Sequence, residues 1–286
     1  MEMIYVLTFF IREGALYREM DLKLAHDCFL SLEQCGDSKI IIHNQGCLTN
    51  EQLKNWLTAY KVDTEVIGNG ENIGIAEARQ RCFEHIWRYY PNTPYICEIH
   101  IDMVFHKEWQ LPLLNFLKDS DEPLIAPGVV TLDGTLYPLT QKINGDLLPK
   151  DFSEFDAFLK QLKCEAFVDA FVNPVIYKSD VLKEIGGYDC LFLRGKQGYE
   201  DDSLLLGFLY YMGTRTNWKP KCYLKSWVFH ATAVQRMTLP GKEKEFARNL
   251  NGLFCQYGAN GFKQLSRLRT NSTEFELFFE NVVNSL

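Results

Sequence analysis

The chain of 286 residues carries 30 basic and 37 acidic side chains, a formal net charge of −7, with 47% hydrophobic and 23% charged residues. That balance excludes dominant disorder, because apolar material is ample for one large core or two small ones. It also lacks the basic footprint of a non-specific nucleic-acid binder, so an anionic ligand must be met by a few placed cations or a metal. Nine cysteines, at 28, 35, 47, 82, 97, 164, 190, 222 and 255, are odd in number and form no C-x-x-C pair. A disulfide framework and a thiolate zinc site are therefore disfavoured, and reduced core thiols in a cytoplasmic protein are expected. The opening residues read as a strand start rather than a signal peptide. No window approaches the roughly 18–20 apolar residues of a membrane span.

In chain order, residues 3–10 form an apolar, β-rich run of the kind a strand covered on both faces needs. Residues 16–33 follow a helical pattern, with Met20, Leu24, Cys28 and Leu32 on one stripe. A second buried strand spans 39–42 and ends in the loop His43-Asn44-Gln45-Gly46. Thr49 and Gln52 have capping-box spacing at the start of the next helix. A short strand at 64–67 precedes a Gly-Asn-Gly loop at 68–70, residues 73–90 read as a helix, and 95–101 as a strand closed by Asp102. This β-α-β-α-β-α-β alternation predicts a parallel sheet with ligands gathered at the strand C-termini.

The rhythm then loosens. Strands at 123–130 and 135–141 join around Asp133-Gly134, a hairpin signal, and 167–178 is a further strand region. Ser179 is placed to cap a short helix leading to Gly186-Gly187. A helix follows Glu200 and runs to about Met212, and 222–229 is a final strand ending at His230. From Lys242 onward the pattern is helical, with Gly258 as a stop. Between them, 231–242 carries Arg236, Lys242 and Pro240-Gly241, the makings of a lid.

Four polar clusters fall where a strand stops or a helix starts. The first joins Thr8, Phe10 and Arg12 with His43 and Asn44. The second is Asn72 to Arg79, where Gly74 permits close backbone approach and Arg79 offers a cation. In the third, strand alternation puts Glu98, His100 and Asp102 on one face. The fourth, Glu200-Asp201-Asp202, has carboxylates beyond what helix-start stabilisation requires, and their crowding suits a general base.

Taken in order, these clusters resemble the family 2 glycosyltransferases and the wider GT-A fold, over roughly residues 3–230. The pieces that carry the resemblance are Asn72–Arg79 (N-x-G-x-A-x-A-R), 99–105 with its strand-end Asp, and 181–189 (V-L-K-E-I-G-G-Y-D) leading into Tyr199-Glu200-Asp201-Asp202 and a late His230. The resemblance implies a GT-A type α/β fold with a mostly parallel sheet, helices on both faces and a C-terminal helical extension. It divides the chain into 1–240, with a nucleotide-binding half at 1–102 and an acceptor-binding half at 103–240, and an extension at 241–286. Asp102 matches the second carboxylate of the D-x-D motif that binds Mn²⁺ or Mg²⁺, and His100 stands where the first carboxylate would be. His230 matches a late metal-binding histidine, and His100 is a third candidate ligand. Thr8, Phe10, Arg12, His43, Asn72 and Arg79 fall at nucleotide-contacting positions. Asp201 matches the catalytic base, with Glu200 helping to place the acceptor.

The implied activity is transfer of a sugar from a nucleoside-diphosphate donor, a UDP-sugar foremost, to a hydroxyl on a sugar, glycan, lipid-linked or protein acceptor. Inversion is expected and retention stays open. Two alternatives are a degenerate module that binds nucleotide-sugar or carbohydrate without catalysis, and a nucleotidyltransferase. The second expects a Gly-rich basic loop after strand one, whereas residues 8–14 hold one Gly and one Arg.

Overall fold

The computed structural model describes residues 2–36, 39–231, 241–268 and 273–284. The first half alternates as β1 (Met3–Phe9), α1 (Ala15–Gln34), β2 (Lys39–Gln45), α2 (Asn50–Leu57), β3 (Asp63–Gly70), α3 (Ile75–Tyr89) and β4 (Tyr95–Ile99). The second half continues with β5 (Met103–Phe105), α4 (Leu111–Lys118), β6 (Leu124–Thr131), β7 (Thr135–Tyr137), β8 (Gln141–Lys142), α5 (Phe155–Gln161), β9 (Phe167–Asp169) and β10 (Val175–Lys178). Last come α6 (Ser179–Glu184), α7 (Glu200–Met212), β11 (Lys221–His230), α8 (Lys242–Leu268) and α9 (Thr273–Asn284). The sheet order is β3-β2-β1-β4-β10-β6-β11-β5, with β1 to β4 mutually parallel and β11 parallel to β6. No described helix is long and apolar enough to cross a membrane.

Burial on both faces explains the apolar runs. Along β1, Ile4 and Val6 join one core with Phe83 of α3 and Leu205 of α7, whereas Tyr5, Leu7 and Phe9 join a second with Phe29 of α1 and Leu53 of α2. The Thr49 capping box forms, its hydroxyl accepting from Gln52 N and the Gln52 side chain returning the bond.

Several boundaries move for reasons of pairing. Strand β2 runs three residues past Ile42, because His43 and Asn44 are in register with Thr8 and Phe9 on one side and Ile67 and Gly68 on the other. Strand β4 stops at Ile99, so His100 and Asp102 lie beyond the ladder. The single strand region at 167–178 is two strands: β9 pairs with β11, while β10 inserts antiparallel between β4 and β6. Ser179 is the first helical residue and Lys178 holds the cap position without a side-chain bond. The lid segment is outside the described residues at 232–240. Gly258 breaks the regular turn of α8 at φ 62.

Helix α8 anchors the loop ahead of α7. Asn249, fully buried, accepts from Gly195 N (2.5 Å) and donates to Gly195 O (3.2 Å) and Gly198 O (2.8 Å). A side chain at Gly195 would run into the Glu245 backbone, so the loop closes on α8 only with glycine there.

His43 lies beneath Gly68, whose φ is +80 and whose added Cβ would sit 2.7 Å from the imidazole. It is 1% exposed, and neither ring nitrogen has a hydrogen-bond partner among the described residues. Burial, reinforced by the charge of Arg81, pushes its pKa down to about 4.

Two outcomes follow from these buried polar groups. Asn249→Leu strips partners from three backbone groups and should cost roughly 2–4 kcal/mol in urea unfolding; a loss below about 1 kcal/mol would show that α8 does not hold the loop through this residue. For His43, the unfolded chain binds the proton more tightly between about 4 and 6.5, so stability rises with pH through that window and falls on acidification. His43→Leu should remove roughly 1–2 kcal/mol of the stability lost between about pH 7 and 5. Identical losses in wild type and variant, measured by denaturation at both pH values, would contradict this.

Candidate active site

A cavity of about 660 Å³ opens at the C-terminal edge of β1, β2 and β4. Nine of the eleven expected site residues line it: Thr8, Phe10, Asn72, Arg79, His100, Asp102, Glu200, Asp201 and His230. Arg12 and His43 do not. The Arg12 guanidinium is turned onto α1, where Nε and Nη2 meet the Asp21 carboxylate at 3.0 and 2.6 Å and the Tyr17 ring lies 4.6 Å away. His43 is buried against Gly68 and does not reach the cavity, and Asn44 donates to Leu48 O and Asn50 Oδ1.

Arg79 is buried and sits at the centre of the site. Its Nη1 donates to Tyr188 Oη (3.1 Å) and Asp201 Oδ1 (3.3 Å), its Nη2 to His100 Nε2 (2.5 Å), and Nε lies 3.8 Å from Glu98 Oε1. Helix α3 delivers it because the chain turns tightly at Gly74, where Asn72 Oδ1 accepts the Gly74 N–H. Gly74 has φ +96, and its missing Cβ would lie 3.1 Å from Lys196 Cα. The Ile75 N–H to Lys196 O bond (2.9 Å) then ties α3 to the loop before α7.

Glu98 is fully buried and does not line the cavity; Tyr177 and Tyr188 both donate to it. Burial raises its pKa, although Arg79 and the two tyrosines oppose the rise. The three-residue face expected from strand alternation is thus split, because β4 ends between Glu98 and His100.

Two consecutive left-handed residues, Gly198 (φ 98) and Tyr199 (φ 62), swing the chain into α7. A tyrosine in that region costs backbone energy, which the fixed loop must sustain. The turn presents Glu200 and Asp201 to the cavity, while Asp202 is buried away from it. Asp201 Oδ2 accepts from Asn173 Nδ2 (3.0 Å), and a third of its side chain is exposed.

His230 reaches Asp102 across 128 residues because β11 pairs antiparallel with β5, setting His230 opposite Met103, and Ala231 N donates to Asp102 O (2.9 Å). His230 Nε2 lies 3.2 Å from Asp102 Oδ1 and 3.2 Å from His100 Nδ1. One ligand atom from each of the three residues falls within 4.8 Å of the others. Burial alone would raise the Asp102 pKa, but His230, by charge and hydrogen bond, and His100 outweigh it and hold the carboxyl low. Burial, with Arg79 and His230 adding to it, pushes His100 down to about 3. A carboxylate and two imidazoles form an N/O donor set that could hold a divalent cation, and its nitrogen donors suit Mn²⁺ better than the oxygen-preferring Mg²⁺.

The cavity is also lined by Gln45, Lys196, Gln197 and Glu245, which sequence patterns do not single out. Gln45 Oε1 accepts from Ile73 N (3.3 Å), and Glu245 Oε2 from Lys196 N (2.7 Å). Gln45 was visible as part of the polar end of β2; nothing local marks Glu245, which arrives on α8.

No protein-family model matches the chain, and no curated protein matches it in sequence. Among solved structures, residues 1–349 of the S. aureus glycosyltransferase TarS align at TM-score 0.50 and 11% identity, covering 96% of this chain and 82% of that one. A longer S. aureus TarS structure aligns with the same TM-score and identity, and this chain spans 48% of its length. The likeness is one of architecture: the chain has a GT-A-like α/β fold, with a mostly parallel central sheet.

Proposed function

We propose that this chain is a glycosyltransferase that moves a sugar from a nucleoside diphosphate, UDP foremost, to an acceptor hydroxyl. The observation that carries this reading is the convergence of a metal-capable His100, Asp102 and His230 group and the one-third-exposed side chain of Asp201 on one cavity at the strand C-termini. The nucleotide is assigned to the half built from residues 1–102, against Thr8, Phe10 and Asn72, and the acceptor to the side of 103–240. The tail from 241 onward contributes Glu245 to the wall. TarS, a glycosyltransferase on the same fold, is consistent with that assignment.

In this mechanism the acceptor oxygen attacks the anomeric carbon, its proton passes to Asp201, and the bond from that carbon to the diphosphate oxygen breaks with the electron pair leaving on the diphosphate. Asp201 is aimed by Arg79 and Asn173, leaving its exposed part to take the proton. Glu200 lies beside it on the acceptor side. Asp102 and His230, with His100 as a third candidate, would hold a divalent cation, which when bound neutralises charge on the leaving diphosphate. A base opposite the leaving group gives inversion.

The nucleotidyltransferase alternative is weakened by Arg12. The one cation of the 8–14 loop is committed to Asp21, so the loop does not present it to a phosphate. A non-catalytic module would not require Asp201 to keep an exposed edge in the cavity.

Calorimetry with UDP should show tighter binding with Mn²⁺ than with EDTA, and Asp102→Ala should erase the difference; equal affinities in the wild type would refute the metal dependence. Asp201→Asn retains an acceptor for Arg79 but cannot take a proton. Transfer, or slow hydrolysis of a UDP-sugar, should fall by about 10²–10⁴-fold with UDP affinity little changed. Near-normal turnover in that variant would remove Asp201 from the role of base.

A further inference from the structure

We propose that Gln45 selects the donor's nucleobase, taking a keto base, uracil foremost, over an amino base, with Gln197 as a second contact on the same base. This rests on the nucleotide-sugar reading above and names specificity residues within that site.

Gln45 ends β2 and is 2% exposed, yet it lines the cavity. Its Oε1 accepts the Ile73 N–H at 3.3 Å, which fixes the amide, because turning it over would set N–H against N–H. Nε2 is left with its N–H donors unpaired among the described residues, and it is not one of the polar atoms sealed from solvent without a partner. With the rest of the residue closed over, those donors emerge into the cavity.

Gln197 is 4% exposed and lines the same cavity, and its amide has no hydrogen-bond partner among the described residues. It follows Lys196, whose carbonyl accepts the Ile75 N–H, so both glutamines border the turn at 73–75. Nothing pins the Gln197 amide, which is free to offer either end.

The sheet order decides which part of a nucleotide reaches these residues. Only β1 separates β2 from β4, so their ends stand about 10 Å apart. A diphosphate held beyond β4 at Asp102 leaves its nucleoside to run toward Gln45, where Ile11 and Ile75 add apolar surface for a ring. There a donor-only amide matches a carbonyl oxygen, O4 of uracil or O6 of guanine. The amino group of cytosine or adenine would instead face N–H with N–H and leave both unpaired.

The test is calorimetry on the full chain with Mn²⁺ present, reading the ratio of affinities for UDP against CDP and for GDP against ADP. In the wild type the keto member of the pair that binds should be at least about 10-fold tighter, because the mismatched base leaves buried donors unpaired; equal affinities would overturn the proposal. Gln45→Glu keeps an acceptor for the Ile73 N–H and replaces the donors with a second acceptor, so the preference should fall to parity or reverse. Gln45→Leu should abolish it. An unchanged ratio in either variant would refute the assignment to Gln45. Gln197→Leu should weaken both members about 10-fold and hold the ratio within about 2-fold, since an unpinned amide matches either base. Loss of the preference in Gln197→Leu, with its retention in Gln45→Leu, would make Gln197 the selector and refute the assignment. If no Gln45 variant folds, the wild type decides with a UDP analogue that lacks O4. That analogue should bind about 10-fold or more weakly than UDP, and equal binding would count against the proposal. Failure of the wild type to bind any of these nucleotides would overturn the nucleotide-sugar reading as well, whereas binding without base preference would overturn this assignment alone.

Discussion

A guanidinium buried beneath the cleft is the constraint around which the site is arranged. Removing a charged arginine from water is costly unless acceptors surround it. Arg79 meets that demand with Tyr188, Asp201, His100 and, at longer range, Glu98. Its four partners come from three other stretches of chain, so one buried charge ties α3 to the end of β4, to the tyrosine after α6 and to the loop-to-helix turn at Asp201.

Below Arg79 lies a second polar layer that never touches the cavity. Glu98 receives both tyrosine hydroxyls and faces the guanidinium, so the arginine's charge is balanced from underneath as well as from the cleft. Above it, Asn249 and the glycines of the 195–198 loop set the height at which α7 begins. Helix α8 is in this sense part of the wall of the site, contributing Glu245 to the lining and Asn249 to its support.

Charge placement also separates the cavity from the surrounding loops. Two cations expected to meet a nucleotide have protein partners, Arg12 with Asp21 and Arg79 with its ring of acceptors. With those charges committed, the cavity also presents Lys196 and the His100, Asp102 and His230 group, which could hold a metal ion. This agrees with a net-acidic chain, which has no general attraction for anions.

Much of the architecture was legible in local sequence. Strands covered on both faces appear as unbroken apolar runs, as in 3–9 and 39–42, and the Thr49–Gln52 box marks its helix by itself. The polar residues at strand ends were legible too, since they interrupt those runs at the same edge. What local pattern could not carry was partner choice. Arg12 after a strand and Arg79 at a helix start look alike as candidate cations, and only the approach of Asp21 and of Asp201 sends one away from the cavity and the other into it. Likewise β10 enters the sheet antiparallel, and His230 meets Asp102, through pairings between segments tens to more than a hundred residues apart. The sequence by itself determined which segments are strands and helices and which edge collects the polar groups, because periodicity and capping act within a few residues. Which charges neutralise each other, and therefore which remain for a ligand, was decided only when the tertiary structure brought acceptors to between 2.6 and 3.8 Å, the range over which ion pairs and hydrogen bonds select their partners.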